Sequence, residues 1–145
     1  MRRHRNGFSL IELVIVMTII MILATIVIGQ VGKQIMMAHE TAAFQQIKTI
    51  DTAEAQYFGQ FGKYAANLLA LGPRAAGLIP ETLAGGKRSG YVYEVHATDD
   101  GYQVTAVPEK FGSSGRRSFF SDQTLVIRES WTTEAANAES AAAIQ

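Results

Sequence analysis

The chain of 145 residues contains no cysteine, three prolines and three histidines. Without cysteine there can be no disulfide, no zinc–thiolate centre and no cysteine nucleophile. A domain of this kind outside the cytoplasm must stabilise itself by packing, by an ion or by assembly. An excess of one charge is also missing: 13 Lys and Arg stand against 13 Asp and Glu, for a formal net charge of zero. That excludes the broad basic surface by which a small protein covers nucleic acid. His4, His39 and His96 lie far apart, no two at ligand spacing, which points to surface or packing roles. No nucleophile elbow occurs. Gly112-Ser-Ser-Gly115 and Gly85-Gly-Lys-Arg88 lack the strand–loop–helix context of a phosphate cradle and read as turns. The pairs Lys87/Arg88 and Arg116/Arg117 read as solvated loops. The chain carries no recognisable catalytic apparatus and is read as a non-enzyme.

What is present is unevenly distributed. Arg2, Arg3 and Arg5 precede an almost wholly apolar run from Phe8 to Ile28; the remainder has the composition of a soluble domain. The run is about 20 residues long, the length needed to cross the roughly 30 Å of a bilayer's hydrocarbon core as a helix. The arginines put the N-terminus in the cytoplasm and everything after Ile28 outside. Ile28-Gly29-Gln30 is a poor small-x-small cleavage site, unlike the end of an ordinary secretory signal. Glu12 lies inside the run, where a carboxylate costs about 2.5–3.5 kcal/mol and ordinarily has a partner. Either it remains hydrated near the headgroups, or a positive group reaches it during assembly.

Gly7-Phe8-Ser9-Leu10-Ile11-Glu12, behind a short basic leader and ahead of the apolar run, resembles the prepilin signal of type IV pilins and type II secretion pseudopilins. The resemblance covers Arg2 to about Val31 and implies a fold, a processing route and a set of partners. A membrane prepilin peptidase would cut between Gly7 and Phe8 and methylate the new amine of Phe8. Glu12 would pair with the Phe8 amine of a neighbouring subunit in a homo-oligomeric helical filament. Membrane lipid would hold the precursor first, and an inner-membrane assembly platform with a cytoplasmic ATPase would drive polymerisation. Two charges buried together are tolerable where each alone is costly, so the pair would set register more than add stability.

Gly29 and Gly32 interrupt the apolar run, each costing about 1 kcal/mol relative to alanine in a helix. Many pilins carry a helix-softening proline near this depth; here the two glycines would take that part. Beyond them Ala43, Ile47, Ile50, Ala53, Tyr57 and Phe61 recur every three or four residues, with Lys33, Glu40, Gln45, Lys48, Asp51 and Glu54 on the flanks. One helix is expected from Phe8 to about Gln60, roughly 80 Å long at 1.5 Å per residue, with a stripe that lies on a small domain. Met17, Met21, Met36 and Met37 form an adaptable packing surface.

The domain boundaries expected are a leader at 1–7, a membrane or filament-core helix half at 8–31, an amphipathic half at 32–61, a head at 62–131 and a mobile tail at 132–145. In the head, Tyr91–His96 and Tyr102–Val107 flank an Asp-Gly turn and form a hairpin, with Tyr91, Tyr93, Val95, Tyr102, Val104 and Ala106 on its inner face. Arg117–Ser121 and Thr124–Arg128 make a second hairpin around Asp122-Gln123, with Leu125 and Ile127 facing the helix. The fold class is α+β, pilin-like: a long helix whose C-terminal half packs on an antiparallel sheet of three or four strands. Asp99, Asp100 and Asp122 offer oxygen ligands of the kind calcium takes, and the resemblance to major pseudopilins of similar size, which hold calcium in a C-terminal loop, makes them the one candidate cation site. Aspartate also favours turns by itself, and turn chemistry is the preferred reading. Three functions stand open: a pilus-like filament subunit, a pseudopilin, or a single-pass membrane-anchored binding domain whose anchor would need none of Gly7, Phe8 and Glu12.

Overall fold

A computed structural model describes residues 7–143, with the side chains at 27–30 left aside. Helix α1 runs from Leu10 to Phe61, 52 residues, and the sheet that follows makes the fold α+β as expected. The chain divides into two units, one ending at Gln34 and the other beginning at Ile35.

In the first unit α1 is apolar on every side. Leu10, Ile11, Leu13 to Met17 and Ile19 to Leu23 are all exposed, as a helix without an amphipathic face must be when nothing covers it. Its two hydroxyls turn back on the backbone: Thr18 donates to the Val14 carbonyl at 2.8 Å and Thr25 to that of Ile22 at 2.7 Å. The polar atoms of these side chains are therefore satisfied inside the helix, the condition for placing them in a medium without water. Among the described residues no single helix is long and apolar enough to cross a membrane; Leu10–Ile26 and Val31–Phe61 meet that standard only together.

In the second unit α1 becomes one-sided. Ala43, Ile47, Ile50 and Ala53 of the expected stripe are buried, Tyr57 is half-buried, and Phe61 is exposed. The helix ends where Gly62 takes φ +67°, a left-handed conformation that glycine adopts without strain, and its N–H closes on the Phe58 carbonyl at 2.8 Å. Two short helices follow, α2 (Leu68–Leu71), capped by Asn67, and α3 (Glu81–Ala84). Leu68, Leu71, Ile79 and Leu83 of this segment complete one side of the core.

The sheet is an antiparallel meander of six strands in sequence order: β1 (Lys87–Arg88), β2 (Tyr91–Ala97), β3 (Tyr102–Pro108), β4 (Ser118–Asp122), β5 (Arg128–Ser130) and β6 (Ala141–Ala142). The β2–β3 hairpin has the expected inner face, with Tyr93 opposite Ala106 and Val95 opposite Val104. Phe119 joins it from β4 and meets Phe44 of α1 and Tyr91 of β2, ring centroids 6.1 Å apart in both cases. Such aromatic pairs each add about 0.5–1.5 kcal/mol beyond the area they bury. Gly115 lies against this cluster because a Cβ there would run into the Tyr91 hydroxyl.

Four expectations need correction. The sheet has six strands rather than three or four, because β1 and β6 are two-residue pairings too short to show a period. The second hairpin is displaced: β4 pairs with Arg128–Ser130, not with Thr124–Arg128. An Asx turn, in which the Thr124 N–H donates to Asp122 Oδ1 at 2.9 Å, takes up residues 122–124. The chain then leaves it with Leu125 at φ +60°, so Leu125 is exposed and Ile127 alone is buried. Finally, within the expected tail, residues 132–143 are fastened to the sheet. Ser118 donates to the Glu134 carbonyl at 3.2 Å and accepts from the Ala136 N–H at 2.9 Å, Ala136 is buried, and β6 pairs with β5. The pairing uses backbone groups, which an alanine- and serine-rich composition does not advertise.

Candidate functional site

The start of α1 is built by Ser9 and Glu12. Ser9 Oγ accepts the Ile11 N–H at 3.3 Å, and Glu12 Oε2 accepts the Ser9 N–H at 2.9 Å. This reciprocal capping box satisfies two of the N–H groups a helix start leaves open. It stops the helix at Leu10 and leaves Gly7 and Phe8 outside it, Phe8 with 84% of its surface exposed. The Ser-x-x-Glu spacing is itself a local sequence signature of a helix start. Gly29 and Gly32 both lie within α1; a Cβ at Gly32 would meet nothing within 4 Å, and the surroundings of Gly29 fall outside the described side chains. His4 and the leader arginines likewise lie outside the described residues.

Residues 2–28 match the prokaryotic N-terminal methylation motif. The N-terminus carries the pilin signal. This is the signal of type IV pilins and pseudopilins. No curated protein and no solved structure matches the chain. The motif contains Gly7, Phe8 and Glu12 and ends before the head begins, so the head must be understood from its own packing.

There the structure shows what the amphipathic pattern missed. Glu40, Asp51 and Glu54, which hydropathy assigns to solvated flanks of the helix, are all buried. Each holds a different part of the head. Glu40 accepts the Arg117 Nε–H and the Arg116 backbone N–H, both at 2.8 Å. Arg117 also reaches Glu129 of β5 at 3.0 Å, and its guanidinium lies between the rings of Phe119 and Trp131, 5.3 and 5.1 Å from their centroids. The reading of Arg117 as a solvated loop residue is thus overturned: it ties α1 to β4 and β5. Burial alone would lower its pKa, but the hydrogen bonds and charges of Glu40 and Glu129 outweigh that and raise it.

Asp51 receives two hydroxyls, Tyr102 on Oδ1 at 3.0 Å and Ser121 on Oδ2 at 2.7 Å, which link α1 to β3 and β4. Glu54 Oε2 accepts the Ala65 N–H at 2.9 Å and pins the chain leaving α1 back onto it, while Oε1 finds no hydrogen-bond partner among the described residues. Burial pushes Asp51 up to about 6 against the opposing effect of its two hydroxyls, with the Asp122 charge adding to the rise. Burial likewise pushes Glu54 up to about 7 against the Ala65 amide, and the Asp51 charge adds to it. Next to Asp51 an open groove of about 360 Å³ is lined by Lys48, Thr52, Ala55, Leu125 and Ile127.

The calcium candidates do not converge on a site. Asp99 and Asp100 lie in the β2–β3 turn, and Asp122 is engaged by the Thr124 backbone and hydroxyl. Among the described residues no three His, Cys, Asp or Glu side chains are placed to share a metal ion. Of the remaining histidines, His39 Nδ1 lies 3.2 Å from the Ser114 carbonyl, and His96 pairs with Glu94 at 3.5 Å on the surface.

Proposed function

We propose that this chain is a structural subunit of a type IV pilus-like filament. The precursor sits in the cytoplasmic membrane with its N-terminus inside. Prepilin peptidase cuts it between Gly7 and Phe8 and methylates Phe8. The subunit then leaves the lipid for a filament whose axis is built from the apolar stretch of α1. The observation that carries this reading is the conjunction of the methylation motif with a helix stretch that is apolar on every side and, among the described residues, left exposed. Each apolar side chain buried is worth about 1.5–3 kcal/mol relative to exposure in water, so a row of them must find lipid or other copies of itself.

Glu12 supplies the specificity. Before cleavage its carboxylate has the Ser9 N–H as partner. Cleavage frees an ammonium at Phe8, and Glu12 of one subunit takes the Phe8 amine of the next. An out-of-register subunit leaves both charges unpaired. Gly29 and Gly32 let the helix yield on packing. The assembly platform and its ATPase supply the work, since the head offers no nucleotide-binding loop. Pseudopilins of type II secretion bear the same signal and use the same chemistry at their N-termini.

The test is mass spectrometry of the full-length chain recovered from membranes of cells that express a prepilin peptidase. The expected product begins at a singly methylated Phe8 and crosslinks to further copies of itself. An uncut, solitary chain would instead mark a membrane-anchored binding domain.

A further inference from the structure

We propose that Asp51 and Glu54 form a proton-dependent latch between α1 and the head, closed while the pair retains a proton and loosened when both carboxylates are ionised. Independent of whether copies assemble, this concerns the fold of the second unit. The two acids are three residues apart, so they share one face of α1 within a turn, and they are 5% and 0% exposed. Between them they hold β3 through Tyr102, β4 through Ser121 and the chain after the helix through Ala65.

Among the described residues neither acid makes an ion pair, in contrast to Glu40, which has Arg117 at 2.8 Å. Lys48 shares the groove beside Asp51 but carries its ammonium 4.8 Å above the Phe44 ring. The groups facing the pair from the other elements are the hydroxyls of Tyr102 and Ser121, the ring of Tyr64 against Tyr102, and Asp122, whose charge opposes ionisation. Among the described residues Glu54 Oε1 is buried without a hydrogen-bond partner, an arrangement a neutral carboxyl tolerates far better than a full charge. A single charge on Asp51 is well held by its two hydroxyls; a second on Glu54, buried and facing the first, is not.

The sign follows from comparing folded and unfolded chains. Asp51 and Glu54 stand at about 6 and about 7 in the fold, above their ordinary values of 3.8 and 4.5. Between those limits the folded chain binds more protons than the unfolded one, so the head is more stable on the acid side and loses stability as pH rises through them. From pH 5 to pH 8 each carboxylate weakens the folding equilibrium by roughly ten- to a hundredfold.

The experiment is thermal unfolding of the full chain in detergent between pH 5 and 8, followed by near-ultraviolet circular dichroism of the head tyrosines. It is run on the parent chain, on Glu54→Gln and on Asp51→Asn. The expected result is a melting temperature that falls with pH in the parent and falls less steeply in Glu54→Gln. A parent profile that is flat or rises, or a Glu54→Gln profile as steep as the parent's, would overturn the latch. Should Asp51→Asn fail to fold, carboxyl carbon NMR of the parent decides: Glu54 titrating above Asp51 and well above an ordinary glutamate supports the latch, and ordinary titration of both removes it.

Discussion

Glu12 and Glu54 belong to the same helix but stand in different surroundings. Hydropathy makes Glu12 an acid trapped in an apolar run and Glu54 one of several solvated charges on an amphipathic flank. In the structure Glu12 is exposed, with a backbone N–H as its partner, while Glu54 is buried at 0% exposure with one oxygen unmatched. The difference lies in what surrounds each stretch of α1. Among the described residues nothing packs on the first, and its apolar side chains are exposed. The second has a sheet and a loop folded against it, and those elements bring hydroxyls and N–H groups to otherwise unfavourable positions. Glu12 is served by a neighbour three residues away, whereas the surroundings of Glu54 are decided by what packs on the helix.

This contrast can be broken in three places. The largest effect is expected from Glu12→Ala, which leaves membrane insertion and cleavage in place but abolishes filament formation, scored by electron microscopy and by the methylated Phe8 terminus. Filaments of normal yield from that variant would leave the first stretch without a register device. Next, Ile47→Ala removes a fully buried side chain of the second stretch. It is expected to destabilise the head by about 2–5 kcal/mol in denaturant unfolding. Ile19→Ala, on the exposed first stretch, should change the same measurement by less than about 0.5 kcal/mol. Equal effects would mean that the two stretches are not differently packed. The smallest concerns the cation that distinguishes Glu40 from Glu54. Arg117→Ala strands Glu40 and Glu129 and loses the stacking between Phe119 and Trp131. A cost of about 2–3 kcal/mol is expected, below that of a fully buried pair because Arg117 keeps 21% of its side chain exposed. The loss should be greater than in Glu129→Gln, which leaves the Glu40 bond intact.

Much of the architecture was legible because it rests on periodicity. The stripe Ala43–Ile47–Ile50–Ala53 and the alternation along Tyr91–Val95 and Tyr102–Ala106 correspond to burial observed in the structure. The parts that escaped rest on single hydrogen bonds. The Asx turn at Asp122 moved β5 onward by several residues, and Ser118 fastened a segment with little to bury. Neither leaves a trace in hydrophobic pattern, and two-residue strands such as β1 and β6 are shorter than one period of any pattern.

The sequence alone determined the processing signal around Gly7, Phe8 and Glu12, the apolar stretch behind it, the amphipathic stripe and the central hairpin, since each is a property of adjacent or regularly spaced residues. Only the tertiary structure decided that Glu40, Asp51 and Glu54 are inside, that Arg117 binds α1 to two strands, and that Ala141 and Ala142 join the sheet. The physical reason is that burial of a charge depends on partners brought from 11 to 77 positions away along the chain, and local composition carries no record of them.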